Sequence, residues 1–372
     1  MTFSRRGLLS SGAVGAAGLT VAAATGAQAA PGGPREETKP LEQLHREAVA
    51  EGGRVVVYAG GDTPTQQDAT KTAFEAAFPG VTMDVVVDYS KFHDVRVDHQ
   101  LAAHRLVPDV VQLQTLQDFP RWKQQGVLQN YRPAGFSEVH PAFVDPDGAW
   151  TGVTSLSFSL AYDSRQVGSN VPRTATDLLD PRWKGRIAST FPNDDDAVLH
   201  LYERAVTRHG WDWLERLVAQ DVHWVRGTQS PADQVAAGTK ALAYGVAVPV
   251  VPYPGQTSRF VVPAQDEPFV SWGQRAALLR GAHRPAAAKL YLNWAISLPV
   301  QQASFQWSVR TDVEPPKGFR RIWEYRNAGI ASFEQFMADR ARVERFRQHL
   351  TLIVGEVSGP PSPGWLGLYP GA

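Results

Sequence analysis

Three carboxylates in a row, Asp194, Asp195 and Asp196, stand in the stretch STFPNDDDAVLHLY, just ahead of an apolar pattern of helical period. Carboxylates so placed can ligate a hard cation, hold a cationic group or cap a helix. Val198, Leu201, Tyr202, Ala205 and Val206 share one face downstream, and Gly210 stops the run. A helix is therefore expected from Asp194 or Asp195. One cap and one first-turn acid would suffice for it, so the third carboxylate is surplus. A helix start already filled with negative charge is expected to turn away phosphate, sulfate and phosphonate. A cationic, neutral polar or metal ligand fits it better, although a metal would need further ligands from elsewhere.

Other polar residues sit where strands end. In AGGDTPTQQ, Gly60 and Gly61 permit close backbone approach, with Asp62 and Thr63 beside them. Thr63 is also a candidate N-cap, with Pro64 at the first helical position and Gln66 completing a capping box. Gln112, Gln114 and Thr115 in QLQT are polar where a buried strand stays apolar, and Gln114 and Thr115 lie at its end. Asn193 stands with the aspartate row, whereas Thr154, Ser155, Gln229 and Ser230 are weaker candidates, since such residues commonly serve as caps or loop residues. Tyr58, Trp150, Tyr162, Tyr244 and Tyr253 are candidates to stack on a flat or cationic ligand. His93, His99 and His104 are spaced by six and five, which keeps them off one helix face and argues against a zinc set. No H-E-x-x-H, G-x-S-x-G, Walker A or dinucleotide motif occurs. The chain has no cysteine, which excludes disulfides, thiolate metal sites and cysteine nucleophiles. No catalytic residue and no cofactor are expected.

The start of the chain is an export signal: Arg5-Arg6, an Ala/Gly/Leu/Val run, and a small-residue site at Ala27-Gln28-Ala29. The S-R-R-x-L-L pattern reads as the twin-arginine type, with an ordinary secretory signal carrying two basic residues as the alternative, and cleavage is expected after Ala29. A lipid-anchored signal would need a cysteine, so an unanchored periplasmic or extracellular protein is expected. The whole chain has a formal charge of +0, and losing Arg5 and Arg6 leaves −2. That balance argues against nucleic-acid or anionic-membrane partners.

Residues 30–40 read as a polar Pro/Gly linker. The elements that position the candidates then alternate. A short helix, LEQLHREAVAEGG, precedes the strand RVVVYAGG. The helix after Thr63 carries Ala69, Thr72, Ala73, Ala76 and Ala77 on one side. VTMDVVVDY is a strand, KFHDVRVDHQLAAHR a helix and PDVVQLQT a strand. A long extended run, GAWTGVTSLSFSLAYDS, leads to a second set. In it TATDLLD, GWDWLERLVAQ and SPADQVAAG are helices, while RIASTF, HWVRG and ALAYGVAV are strands. Residues 332–354 read as one late helix with Ser332 as N-cap, Gln335 in a capping box, and Phe336, Val343, Phe346 and Leu350 on its apolar side. The plan is two α/β halves with a cleft between them.

In VVVYAGGD, AFEAAFPGVTMDVV, LVPDVVQLQ, FPRWKQQGVLQNY, VPRTATDLLDPRWKGRIAST, DQVAAGTKALAYG and HRPAAAKLYLNWAISLPVQQASFQWSVRTDV, the chain resembles the extracellular solute-binding proteins of ABC importers. The similar branch includes ferric-iron, thiamine, polyamine and phosphonate binders. The resemblance spans nearly all of the chain after the signal. It implies an α/β, two-domain type II periplasmic-binding-protein fold with a central ligand cleft and C-terminal helices. Domain 1 would comprise residues 41–152 and 256–320, domain 2 residues 153–255, and a helical segment 321–372 would pack on both. Hinge strands are expected near 152–160 and 245–256. A small-molecule or metal ligand, permease and ATPase partners and a monomeric state are implied. Gly61, Asp62, Thr63, Gln114, Thr115, Thr154, Ser155, Asn193, Asp194, Asp195, Gln229 and Tyr244 would line the cleft. Ferric binders of this branch often use adjacent tyrosines, whereas Tyr244 and Tyr253 stand apart here. A hydrolase on such a scaffold and a secreted sensory or protein-interaction module are the alternatives.

Overall fold

The computed structural model describes residues 33–264 and 266–372; the export signal and its cleavage site lie outside the described residues. Helices are α1 Leu41–Ala50, α2 Asp68–Ala77, α3 Ser90–Ala102, α4 Asp118–Gln124, α5 Ser164–Val167, α6 Asp196–His209, α7 Trp211–Val218, α8 Gln229–Ala237, α9 Pro285–Ala295, α10 Leu298–Gln302, α11 Ile330–Ala338 and α12 Arg340–Val354. Strands are β1 Arg54–Gly60, β2 Thr82–Asp88, β3 Val110–Leu113, β4 Thr151–Asp163, β5 Ile187–Thr190, β6 His223–Val225, β7 Leu242–Val246, β8 Ser258–Phe260 and β9 Val270–Leu278.

The strand order is β2-β1-β3-β9-β4-β7-β5-β6, with β8 beside β4. β2, β1 and β3 are parallel, as are β6, β5 and β7. Val-rich runs buried on both faces favour this parallel arrangement. Two antiparallel strands join the halves. β9 pairs with β3 and with the first part of β4. β4 then shifts register at Ser159/Leu160 and continues against β7. Such an irregularity bends a strand where its partner changes. β9 is buried along its whole length, so its sequence shows no alternation to mark it as a strand. After β7 the chain runs through residues 247–257 to β8, so the second strand common to both halves is β9 rather than the 245–256 stretch.

Where β4 and β9 cross, Ser155, Ser157, Ser159 and Ser271 are buried. Ser157 Oγ donates to Ser271 Oγ at 2.9 Å, Ser271 Oγ to Leu156 O at 2.8 Å and Ser159 Oγ to Val261 O at 2.8 Å. Ser155 Oγ has no partner.

Local readings are corrected in three places. α2 starts at Asp68 without a side-chain cap, and Gln66 instead accepts the Asp62 N–H at 2.8 Å. Phe74 and Phe78 anchor that helix, and its Ala69, Thr72, Ala73, Ala76 and Ala77 side is exposed. Aromatic burial outweighs an alanine stripe. Residues 33–40 are not free: Glu36 bridges Arg132, and Lys39 pairs with Glu47 at 2.8 Å. The 332–354 helix is two helices that break at Asp339, whose side chain caps α12 through Arg342 N. Ser332 lies inside α11. Its Oγ bonds Gly329 O at 3.0 Å and His200 Nε2 at 3.1 Å, while His200 Nδ1 meets Glu203 at 3.2 Å. Phe333, Phe336, Met337, Val343 and Leu350 bury α11 and α12 in the core of the β5–β7 half.

Beyond α12 the chain crosses to the other half. Asn193 Nδ2 holds Thr351 Oγ1 and Gly355 O at 2.9 and 3.0 Å. The tail then docks on β1 and α3. Arg96 Nε donates to Gly367 O at 2.6 Å, Gln100 Nε2 to Leu368 O at 2.7 Å and Tyr58 OH to Pro370 O at 2.8 Å. Tyr369 packs beside the core under α3, with Arg105 4.4 Å above its ring.

Candidate functional site

A cavity of about 120 Å³ lies between the two halves. From the β1–β3 half come Asp62 and Gln66 after β1, Tyr89, Ser90 and Lys91 at the start of α3, and Gln114 and Thr115 after β3. The opposite wall holds Asp194, Asp195 and Asp196, then Gly227, Thr228 and Gln229 at the start of α8. Leu156, Phe158 and Gln274 from the crossing strands form the floor, and Met337 of α11 closes one side.

Three contacts span the cavity. Lys91 Nζ reaches Asp194 Oδ1 at 2.6 Å. Gln114 Nε2 donates to Asp195 Oδ1 at 3.1 Å. Asp62 Oδ2 accepts the backbone N–H of Thr228 and that of Gln229, the latter at 3.0 Å. Thr228 offers no side-chain cap, so Asp62 of one half caps α8 of the other. Gly227 has φ +75°, and a Cβ there would lie 2.5 Å from Asp62 Oδ2. Glycine is thus required both by its left-handed backbone and by the room the carboxylate takes. Gly61 has a packing reason instead, since a Cβ would meet Val87 at 2.7 Å.

The aspartate row does not make an acidic wall, which corrects the expectation from sequence. Each member has a separate task. Asp194 lies between Lys91 and Arg226, the latter at 2.9 Å. Burial pushes its carboxyl up, but Arg226 and Lys91 outweigh that and hold it below the ordinary carboxylate range. Asp195 is the N-cap of α6, accepting Ala197 and Val198 N–H at 2.8 and 2.9 Å. Asp196 turns to the C-terminal helix and pairs with Arg340 at 2.8 Å and with Arg347. Four cationic side chains therefore pair with two of the three carboxylates, and Asp195 is held by backbone and amide N–H groups.

Burial pushes Asp195 up to about 6 from an ordinary 3.8. The folded chain keeps this proton where the unfolded chain has lost it. Its contribution to stability is whole below pH 3.8 and is lost as pH rises through 6. Asp195→Asn keeps a cap acceptor and should flatten the stability profile between those pH values, as read by urea unfolding at several pH values.

Of the sequence candidates, the cavity gathers Gly61, Asp62, Gln114, Thr115, Asp194, Asp195 and Gln229. Thr63, Thr154, Ser155, Asn193 and Tyr244 are not among its lining residues. Asn193 is spent on the tail, Ser155 is sealed in the crossing strands, and Tyr244 is packed against Tyr202 and Trp213. The five aromatic candidates do not form a box. Tyr58 is fully buried under the tail, Trp150 lies under Arg275 at 4.7 Å, and Tyr253 meets Phe305. The cavity's aromatic residues are Tyr89 and Phe158. Burial, with the charges of Asp194 and Asp62, raises the Tyr89 hydroxyl pKa and keeps it a neutral phenol. Sequence reasoning missed Tyr89, Lys91 and Arg226. The only signal for Lys91 was its place at the start of a helix after a strand.

Three oxygens on the cavity lack a partner: Asp62 Oδ1, Thr115 Oγ1 and Tyr89 OH. Among the described residues, no group of three or more His, Asp or Glu is placed to hold a metal ion. None of their helices is long and apolar enough to cross a membrane.

The strand order and the cavity between the halves define a two-domain periplasmic-binding-protein architecture of type II. Residues 107–290 match the family described as bacterial extracellular solute-binding protein. No curated protein matches the chain in sequence. The periplasmic binding protein AfuA from Actinobacillus pleuropneumoniae, with fructose-6-phosphate bound, is similar in structure (TM-score 0.63, 19% identity). The match covers 82% of this chain and 99% of AfuA. Iron-bound HitA from Pseudomonas aeruginosa is matched with TM-score 0.57 and 16% identity, over 80% of this chain and 99% of HitA. A substrate binding protein of an ABC transporter from Agrobacterium tumefaciens gives TM-score 0.64 and 16% identity, over 81% and 94%. Identities this low carry the fold and not the ligand.

Proposed function

We propose that this chain is the solute-capturing component of an ABC importer and closes its two lobes on a small, polar, neutral or cationic solute. The observation that carries the reading is Asp62, which lines the cavity, joins the lobes through Oδ2 and keeps its other oxygen, Oδ1, buried without a partner. A solute N–H or O–H would satisfy that acceptor, and the Thr115 and Tyr89 hydroxyls could add bonds of either polarity. Closure then follows from differential affinity, because only the closed state offers both walls.

Native mass spectrometry of the exported protein should catch a small co-purifying solute. Added back at 100-fold over its Kd, that solute should stabilise the fold by about 2.7 kcal/mol. Recovery of a chemically altered compound would instead support an enzyme. That hydrolase reading would lean on the Ser332–His200–Glu203 chain of hydrogen bonds. Ser332 is not among the cavity's lining residues, and His200 is packed against Phe333 and Phe336. Nitrophenyl-ester turnover abolished by Ser332→Ala would favour it over capture.

A further inference from the structure

We propose that Asp62 determines the charge class of solute: its carboxylate occupies an oxyanion seat on the opposite lobe and so bars anions from the cleft. The proposal rests on reading the cavity as the solute site. The seat consists of Gly227, Thr228 and Gln229 at the start of the nine-residue helix α8. Its two N–H groups converge on one oxygen, that of Asp62. Converging backbone N–H groups at a helix start, after a left-handed glycine, make an anion-binding concavity. Arg226 lies next to it in sequence, and Lys91 shares Asp194 with Arg226 across the cavity. Freed of Asp62, these groups would suit phosphate or sulfate.

A second observation shows that the seat belongs to a ligand cavity. Thr115 is 5% exposed, lines the same cavity, and its hydroxyl has no partner. Asp62, also 5% exposed and lining the cavity, keeps its other oxygen buried without a partner. An oxyanion entering the closed cleft would therefore meet a buried like charge and find the seat taken. Like charges so juxtaposed act against the wrong partner. A donor-bearing neutral or cationic solute meets the opposite situation at Oδ1.

Titration calorimetry with inorganic phosphate and with sulfate tests this on the wild type, Asp62→Ala and Asp62→Asn. Wild type should give no heat at millimolar anion. Asp62→Ala should bind at least about tenfold more tightly than wild type, since the seat and its cations remain. Asp62→Asn keeps an oxygen in the seat without the charge and should fall between the two. Equal anion binding by wild type and Asp62→Ala would overturn the proposal, as would a folded Asp62→Ala that binds neither anion. If Asp62→Ala does not fold, Asp62→Asn decides: binding no tighter than wild type overturns the proposal. Failure of the solute reading itself would show separately, as no co-purifying compound, whatever phosphate does.

Discussion

A chain ending at Gly355 should lose about 3 kcal/mol of stability to urea, from hydrogen bonds worth roughly 0.5–1.5 kcal/mol each and the loss of the packing of Tyr369 on the core under α3. The tail's anchors are Arg96, Gln100 and Tyr58 on one half, while α12 holds it on the other. Its removal therefore strips acceptors from buried side-chain donors and also cuts a tie between lobes. Residues 356–366 are rich in Pro, Gly and Ser, which suits a slack connection with no packed core of its own. Small-angle scattering of the ligand-free truncated chain should give a larger radius of gyration than that of the full chain. An unchanged urea midpoint would show that the tail merely rests on α3.

Arg226→Ala should be still more damaging to the fold, by about 3–5 kcal/mol, because it leaves the buried Asp194 carboxylate with one partner. Lys91→Ala should behave differently. The Lys91 side chain is 41% exposed, and it meets Asp194 only across the cleft. Solvent screening holds that pair to about 1 kcal/mol, or roughly fivefold in solute affinity, with the unfolding midpoint little changed. Chemical denaturation and solute titration on the two variants separate the effects. Equal destabilisation by both would mean that the Lys91 pair is not specific to closure.

Much of the architecture could be read from local chemistry. Val55 to Tyr58 announced β1, Asp195 announced the start of α6, and Gly210 its end, because caps and apolar runs act within a few residues. The break at Asp339 was hidden by a continuous apolar side, since Phe336 and Val343 serve two helices that meet one core. Seven cleft candidates reach the cavity because they stand at strand ends or helix starts. The partners of Asp194 and Asp62 were not legible. Asp62 lies 166 positions from Thr228 and Lys91 lies 103 from Asp194, so only the tertiary fold joins them. Reading the aspartate row as a charged wall failed for the same reason: Arg340 and Arg347 come from the far end of the chain.

The serines where β4 and β9 cross have a mechanical consequence. Methyl groups packed there would have to find new room at every bend, and close-packed interiors resist that strongly. A hydroxyl trades one acceptor for another by rotating about a single bond. Ser155, whose Oγ is unpartnered with the cleft shut, is a reserve that can take up a new acceptor as Ser157 and Ser271 part. On the proposed closure, the crossing would flex like a leaf spring whose two curvatures differ by an exchange of hydrogen bonds, leaving the cores on either side intact.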